Sequence, residues 1–178
     1  MSTEEHRIQA AIAGRRDATE SLLAELLPRV RSFVRYSVHG DSEVDDITQE
    51  ALIAILRGLP TYRGEGAFAS WANRVVARVT FAASKRARTE RCQVDDESVE
   101  LTSVPSEEAL PDDCLMHREV VELLEQLSDE QRRALLLHYV MGMSIPEMAE
   151  ALEVPFETVR SRLRTGKAHL REILFRES

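Results

Sequence analysis

Cysteine, glycine and proline are scarce in this sequence, with 2, 7 and 6 residues respectively among 178. Two cysteines are too few for a disulfide-stabilised scaffold, and the low glycine and proline content excludes a collagen-like or low-complexity chain. No hydrophobic run approaches the roughly 20 residues that span a bilayer, and the first residues lack the apolar core of a signal peptide. We therefore expect a protein of the reducing cytoplasm with one domain or two small ones.

Motifs for catalysis and cofactor binding are missing as well. The sequence has no phosphate-binding loop, no dinucleotide fingerprint and no nucleophile–base arrangement. Cys114 and His117 have Cys-x-x-His spacing, with Cys92 upstream, which is a weak signal for a zinc or redox site. We expect a protein that is not an enzyme and that needs no cofactor, metal or small-molecule substrate; a metal or redox role for these three residues stays open.

Patterns typical of β-strands are also absent. No run alternates cleanly between apolar and polar residues, and clusters of β-branched residues are few. Apolar residues instead recur at steps of three and four, the spacing of one helix face. One such set is Val44, Ile47, Ala51 and Ile55. The sequence predicts an all-α fold.

The net charge of −8 is unevenly distributed along the chain. Residues 60–91 and 158–176 each carry +5, whereas residues 92–119 carry −8. The acidic segment also contains two prolines and has no apolar periodicity, so it cannot bury enough surface to offset its ordering entropy. The sequence therefore predicts two small helical domains joined by a flexible acidic linker at residues 92–116.

The first predicted domain contains three main helices. The first covers residues 22–34, where Pro28 predicts a kink or a break. The second ends at Gly58, a helix-stop residue followed by proline two positions later. The third covers residues 68–86, and we expect Trp71 to pack in the core because large aromatic side chains are more often buried than ligand-binding.

The second predicted domain has the helix start and stop signals of a helix-turn-helix. Capping-box patterns at Ser128 and Ser144 each start a helix, and Gly142 between them is a stop signal. A short helix of residues 145–152, a turn and a long basic helix of residues 156–175 follow. The last helix is of a size to enter a DNA major groove, with its early residues facing the base edges.

Two stretches of the chain resemble a known protein family. The first is DDITQEALIAILRGLPTYRGEGAFASWANRVVARV and the second is LEQLSDEQRRALLLHYVMGMSIPEMAEALEVPFETVRSRLRTGKAHLR. They are similar to the second and fourth conserved domains of bacterial sigma-70-type RNA polymerase sigma factors of the extracytoplasmic-function (ECF) group. The resemblance implies a region 2-like domain at residues 1–91, the acidic linker at 92–116 and a region 4-like helix-turn-helix domain at 117–178.

The resemblance also implies three groups of binding residues. The family docks on core RNA polymerase at the positions of Asp45, Asp46, Gln49 and Glu50. It meets the −10 promoter element at the positions of Arg63, Arg74, Arg78, Lys85, Arg86 and Arg88. It meets the −35 element at the positions of Glu157, Thr158, Arg160, Ser161, Arg164 and Lys167. The basic residues suit this role, because they neutralise phosphates and arginine can pair bidentately with guanine.

The sequence departs from the family pattern in both DNA-binding groups. Arg78 and Ala82 stand where the family often has Asn and Asp, so the −10 base preference does not carry over. Thr165 and Gly166 replace a common Arg-Ala pair in the last helix. Glycine in a helix interior costs about 1 kcal/mol relative to alanine, which predicts bending or fraying there.

We interpret the sequence as a transcription initiation factor that directs core RNA polymerase to promoters and assists strand separation. The implied partners are core RNA polymerase, promoter DNA and an anti-sigma factor, often membrane-bound. Two alternatives stay open. One is a sigma mimic that sequesters an anti-sigma factor without binding DNA, which the net charge of −8 favours. The other is a helix-turn-helix repressor or activator that acts without polymerase.

Overall fold

The computed structural model describes residues 3–38, 41–94 and 112–176, and the secondary structure in these ranges is helical throughout. The α-helices are α1 (Thr3–Ile12), α2 (Arg16–Ser37), α3 (Asp41–Gly58), α4 (Phe68–Val94), α5 (Asp112–Glu125), α6 (Asp129–Tyr139), α7 (Ile145–Leu152) and α8 (Phe156–Arg176). A 3₁₀ turn at Leu59–Thr61 follows α3. The prediction of an all-α fold is confirmed.

Helices α1 to α4 form the N-terminal domain around one apolar core. The predicted face of α3 is buried in full, with Val44 4% and Ile55 0% exposed. It packs against α2 and α4, which contribute Phe33 and Val76. Burying an aliphatic or aromatic side chain of this size contributes about 1.5–3 kcal/mol, so this face fixes α3 in the bundle.

Of the predicted kink or break at Pro28, the break is wrong, because α2 runs unbroken from Arg16 to Ser37; the kink stays a prediction. Proline removes one backbone hydrogen bond and crowds the preceding turn, at a cost of about 3 kcal/mol in a helix interior. Pro28 itself is exposed, whereas Leu22 and Val30 on either side are 2% exposed. Burial of the flanking turns offsets the local cost and keeps the helix continuous.

Helix α4 begins at Phe68 as predicted but ends at Val94, beyond the predicted end at residue 86. The extra residues 87–94 read ARTERCQV and include no glycine or proline that would stop the helix. Helix α5 in turn begins at Asp112. The two ends of the predicted linker are therefore helical, and its remaining residues 95–111 lie outside the described residues.

Helices α5 to α8 form the C-terminal domain; α7 and α8 begin at Ile145 and Phe156 as predicted, whereas α5 begins at Asp112, within the predicted linker. Ser128 Oγ accepts a hydrogen bond from the Gln131 backbone nitrogen at 3.3 Å, as the first capping box requires. Gly142 has φ +63° in the turn between α6 and α7, a conformation that glycine adopts without steric cost. The predicted helix-turn-helix is confirmed in these residues.

Gly166 neither breaks nor ends α8, which continues to Arg176. Instead it allows α8 to lie close against α6. A Cβ atom at Gly166 would lie 3.3 Å from Gln131 Cβ and 3.3 Å from Leu135 Cδ1. The predicted fraying is absent because packing against α6 stabilises the helix where its own propensity is poor.

The two domains contact each other directly. Helix α2 packs against α5 and α6, and α4 packs against α7. The guanidinium of Arg133 in α6 lies over the ring of Phe81 in α4, 4.9 Å from its centroid. The sequence predicted two tethered domains but gave no indication of this contact.

Candidate nucleic-acid and polymerase interfaces

Three of the predicted −10 residues form a basic stripe on α4. At 3.6 residues per turn, Arg74, Arg78 and Lys85 lie within about 40° of one another around the helix axis. Arg86 lies about 100° further round and forms an ion pair with Glu50 of α3 at 3.1 Å. The structure therefore separates Arg86 from the basic stripe of α4. The side chain of Arg88 lies outside the described residues.

The loop before α4 presents Arg63 beside an aromatic cluster. The rings of Tyr62, Phe68 and Trp71 have centroids 5.3–5.6 Å apart. The Tyr62 hydroxyl donates a hydrogen bond to the Gly66 carbonyl at 2.8 Å, which closes the loop on itself. Arg63, the residue after Tyr62 in this loop, is exposed.

Trp71 is half-buried in this cluster rather than free to bind a ligand. Its ring lies so close to Gly58 that a Cβ atom there would be 2.9 Å from it. Glycine at the end of α3 therefore makes room for the indole. This contact fits the expected packing role of Trp71.

The exposed side of α8 carries most of the predicted −35 residues. Glu157, Arg160, Ser161, Arg164 and Lys167 are all exposed and lie within about 120° around the axis. This group is the recognition face of α8. The opposite side holds Val159 and Leu163, which are 0% and 8% exposed and pack in the core of the domain. Thr158 is half-buried at the edge of the face.

Two neighbours restrain the side chain of Arg160. Its guanidinium stacks over the ring of Phe156, 4.5 Å from the centroid, and its Nη1 lies 3.6 Å from Glu157 Oε1. Phe156, the first residue of α8, has 38% of its surface exposed. The sequence analysis missed Phe156; an aromatic residue four positions before an exposed arginine was the available signal.

The predicted polymerase-docking residues form a polar stripe on α3. Asp45, Asp46, Gln49 and Glu50 are all exposed, opposite the buried apolar face. Asp45 Oδ1 pairs with Arg31 of α2 at 2.9 Å. Within the described part of the chain, Asp46 forms no ion pair, so its carboxylate is available to a basic partner.

The structure adds two acidic residues of α7 that the sequence analysis did not single out for binding. Glu147 accepts hydrogen bonds from the backbone nitrogen and the hydroxyl of Ser144, at 2.7 and 2.6 Å, and from the hydroxyl of Ser70 in α4. The Ser144 and Ser70 hydroxyls, the Ser144 N–H and the charge of Arg74 together lower the pKa of Glu147. Glu150 forms an ion pair with Arg74.

No cluster of three or more potential metal ligands occurs among the described residues. The side chains of Cys92, Cys114 and His117 fall outside them, so the weak signal noted in the sequence is not tested. A search of the described helices for a segment with the length and hydrophobicity of a membrane span finds none.

Two family profiles match the chain, one in each domain. Residues 22–89 match the family described as Sigma-70 region 2, and residues 117–170 match the family described as Sigma-70, region 4. Together they cover well over half of the sequence and fall on the two predicted DNA-binding domains. The acidic segment between them belongs to neither match.

Curated relatives match across nearly the whole chain. The ECF RNA polymerase sigma-E factor of Escherichia coli K12 is 28% identical over 171 residues, which cover 90% of this chain and 88% of the relative. The RNA polymerase sigma factor CarQ of Myxococcus xanthus is 29% identical over 163 residues, which cover 90% and 91% respectively.

Two solved structures share the fold. CnrH in complex with the cytosolic domain of CnrY aligns with a TM-score of 0.76 and 20% identity, covering 99% of this chain and 100% of CnrH. The sigma factor RpoE in complex with the anti-sigma factor NepR from Bartonella quintana aligns with a TM-score of 0.68 and 21% identity, covering 87% and 95%. The chain belongs to the sigma-70 family of RNA polymerase sigma factors and is of the ECF type.

Proposed function

We propose that this sigma factor places the basic stripe of α4 on the −10 element and the recognition face of α8 on the −35 element while the polar stripe of α3 holds core RNA polymerase. The observation that carries the proposal is that α4 and α8 are each amphipathic, with one buried apolar face and one basic face. Each buries one face in its own domain core and carries basic residues on another, where Arg78 and Lys85 of α4 and the recognition face of α8 are exposed and Arg74 pairs with Glu150. Two such faces on one chain suit two stretches of one DNA.

The proposed roles of the two basic faces differ in chemistry. On α4, Arg74, Arg78 and Lys85 neutralise phosphates, while the adjoining loop with Arg63 and Tyr62 lies next to a cavity of about 600 Å³ between the loop and α1. A cavity lined by aromatic side chains suits an unstacked base. On α8, Arg160 and the residues around it read base edges in a major groove.

The proposed docking on core polymerase is electrostatic. The polar stripe of α3 contains three carboxylates and one amide, and Asp46 and Gln49 lie one helical turn apart. Such a stripe fits a basic helical segment of the polymerase. In this scheme the sigma factor performs no covalent chemistry, because RNA synthesis belongs to the polymerase, and it acts in the cytoplasm where polymerase and DNA meet.

An anti-sigma factor is a further proposed partner. RpoE, which shares the fold, is held by the anti-sigma factor NepR in its complex. In this chain an apolar cleft of about 640 Å³ lies between α2, α5, α6 and α8, lined by Leu124, Leu136, Tyr139 and Leu174 among others. The amphipathic helix of a partner would bury its apolar face in a cleft of this kind.

Run-off transcription with core polymerase tests the proposal. The chain and core polymerase are incubated with a fragmented genomic library, and the 5′ ends of the transcripts are mapped. An active sigma factor yields defined start sites that share upstream elements. A sigma mimic yields none, and a conventional repressor or activator binds duplex DNA without polymerase, so either result would contradict the proposal.

Asp46→Ala tests the docking surface separately. We expect weaker binding to core polymerase in a pull-down or fluorescence titration, because the exposed carboxylate is the stripe's acidic group without an ion pair in the described chain. Glu65→Ala removes an exposed acidic group from the same domain outside α3 and is the matched control. Equal affinity of Asp46→Ala and the parent chain, with unchanged thermal unfolding, would remove the assignment.

A further inference from the structure

Helix α1 supplies one wall of the cavity beside the loop that precedes α4. Four of the residues that line this cavity of about 600 Å³ belong to α1, namely Glu4, Glu5, Ile8 and Gln9. The match to the Sigma-70 region 2 family begins only at residue 22, so α1 lies outside it. The contribution of α1 to the cavity therefore follows from the residues of this chain and not from the family pattern.

Packing against α2 fixes the position of α1. Ile8 and Ala11 are each 5% exposed, and Arg7 forms an ion pair with Glu25 of α2. A helix of ten residues is marginal by itself, so these contacts hold it in place. The four lining residues of α1 lie within about 140° around its axis, so they form one continuous wall.

The opposite wall is the loop of residues 62–67 and the start of α4. Gly64 and Gly66 have φ +76° and +88°, and a Cβ atom at either would meet no atom of the described chain within 4 Å beyond the adjacent residues. The Tyr62 hydroxyl bonds the Gly66 carbonyl, and the Tyr62 and Phe68 ring centroids are 5.3 Å apart. The loop is therefore held in shape with open space beside it, and its aromatic rings suit the face of a nucleobase.

The charged groups of the cavity come from α1 and are acidic. The described residues that line it include two carboxylates, those of Glu4 and Glu5, and none of them is Lys or Arg. Such a cavity repels a phosphate, whereas a base carries no net charge and can enter it. The two carboxylates are therefore placed to meet the edge of a base rather than the DNA backbone.

These carboxylates distinguish between bases. An ionised carboxylate accepts hydrogen bonds and cannot donate them. Cytosine and adenine each carry an exocyclic amino group that donates, whereas thymine has a carbonyl oxygen in the corresponding place. An amino group gains a charge-assisted hydrogen bond from a carboxylate, while the thymine carbonyl meets oxygen atoms that also carry negative charge. The amide of Gln9 adds a donor for the ring nitrogen next to the amino group.

We propose that α1 selects the base that enters this cavity, with Glu4 and Glu5 favouring a base that carries an exocyclic amino group, cytosine or adenine, over thymine. The inference deepens the proposed function and rests on it, because it takes the cavity as the place of one unstacked base of the −10 element. Base preference at that position then depends on a helix outside the family match.

Glu4→Gln with Glu5→Gln is the direct test, because an amide has nearly the shape of a carboxylate but can also donate to the thymine carbonyl. The chain and core polymerase transcribe a promoter library with a randomised −10 element, and transcripts are counted for each base. In the parent chain we expect a position at which cytosine or adenine exceeds thymine at least about fivefold. The double variant should lower this ratio to about twofold or less and leave the other positions unchanged.

Asp17→Asn with Glu20→Gln is the matched control, because it removes two exposed carboxylates from α2 with the same change in net charge. It should keep the base preference of the parent chain at every position. Thermal unfolding checks that both double variants are folded. A folded Glu4→Gln, Glu5→Gln variant with the parent preference, or an equal loss of preference in the control, would overturn the role of α1.

Altered bases give a second test, which the parent chain alone can decide. In a template that is unpaired over the −10 element, the selected base is replaced by its analogue without the amino group, 2-pyrimidinone for cytosine or purine for adenine. The affinity of the polymerase complex should fall at least about fivefold with the parent chain and less than about twofold with the Glu4→Gln, Glu5→Gln variant. Equal affinity of the parent complex for both bases would contradict the inference.

Failure of this inference and failure of the proposed function give different results. Defined start sites whose base preference the Glu4→Gln, Glu5→Gln variant leaves unchanged would overturn the inference and leave the proposed function intact. No transcription by the parent chain from any template would overturn the proposed function. In that case, titration of the free chain with single-stranded oligonucleotides that differ only in the amino group still tests the cavity, and equal affinities would exclude the selection.

Discussion

Arg160 is an exposed side chain with a restricted set of positions. A free arginine loses much rotamer entropy when it binds, which reduces its net contribution to binding. Stacking on Phe156 and proximity to Glu157 hold the guanidinium on the recognition face before DNA arrives. Part of the side-chain entropy is therefore already lost in the free protein, so less is lost on binding DNA. This favours contact with a base edge over a mobile contact with phosphate.

Arg160→Ala should therefore weaken promoter use in a base-dependent way. We expect a loss of about 1–3 kcal/mol of discrimination at one base pair of the −35 element, measured by competition binding over a set of single-base variants. Phe156→Leu, which keeps an apolar side chain but removes the ring, should show a smaller loss at the same base pair.

Arg162→Ala is the control for this prediction. Its side chain lies about 160° away from that of Arg160 around α8, so it should leave the base preference unchanged. A uniform loss over all sequences in Arg160→Ala would show that this residue contacts phosphate rather than a base.

At the scale of the elements, α8 depends on its close approach to α6. Gly166 is buried in that contact, and the nearest side-chain atoms belong to Gln131 and Leu135. His169 Nδ1 lies 3.1 Å from Gln131 Oε1 one turn further along. The packing of the two helices sets where the recognition face points relative to the rest of the helix-turn-helix.

Gly166→Leu should push the two helices apart. Overpacking of this kind costs about 1–3 kcal/mol, which should appear as a lower midpoint in urea unfolding. Ala168→Leu places the same side chain at an exposed position of α8 and should leave the midpoint nearly unchanged. Equal midpoints for Gly166→Leu and the parent chain would show that the helices adjust at no cost.

The start of α7 depends on the ionised form of Glu147. Hydrogen bonds from the Ser144 and Ser70 hydroxyls and from the Ser144 N–H, with the charge of Arg74, lower the pKa of this carboxyl in the folded chain. A carboxyl whose folded pKa is lowered contributes stability above its unfolded pKa of about 4.3. That contribution is lost as the pH falls below this value and through the folded pKa.

Glu147→Gln keeps the capping box but replaces charge-assisted hydrogen bonds by neutral ones, which should lower the thermal midpoint at pH 7 by about 2–4 °C, since the charge adds about 1 kcal/mol. The difference between the variant and the parent chain should narrow as the pH falls below about 4. Glu172→Gln, an exposed change in α8, should show no such convergence. A constant difference at all pH values would exclude a contribution from the ionised carboxylate.

At the scale of the whole molecule, charge is separated rather than balanced. The net charge is −8, yet two segments of +5 carry the basic faces of α4 and α8. A uniformly acidic protein would repel DNA, whereas separated basic faces bind it with an affinity that falls steeply with salt.

Arg78→Ala should weaken DNA binding by a similar factor for every sequence. Because one phosphate contact is lost, the slope of log affinity against log salt should fall by about 0.9. Arg86→Ala, which removes the partner of Glu50 instead, should change this slope less. A base-dependent loss in Arg78→Ala would give this residue a reading role.

The sequence predicted the helices of this protein closely because local rules govern them. Capping residues, stop signals and apolar spacing act within a few positions, so the bounds of α6, α7 and α8 followed from the residues themselves. The failures arose where local rules compete with packing. Burial on either side of Pro28 and of Gly166 overrode the helix-breaking tendency of each residue.

The candidate binding surfaces also contain features that local sequence rules predict and features that only the packed structure shows. The spacing of Arg74, Arg78 and Lys85 is sufficient to place them on one side of a helix, although the sequence analysis grouped them with Arg86. The pairing of Arg86 with Glu50 and the stacking of Arg160 on Phe156 needed side-chain directions. Only the second of these left a short-range signal in the sequence.

By itself the sequence determined an all-α chain with two basic modules and an acidic segment between them, because periodicity and charge are written in the order of residues. The tertiary structure alone decided that Glu150 meets Arg74 and Glu147 meets Ser70, pairs separated by 76 and 77 positions. Contacts at such separations depend on how whole domains pack, and no local pattern encodes them.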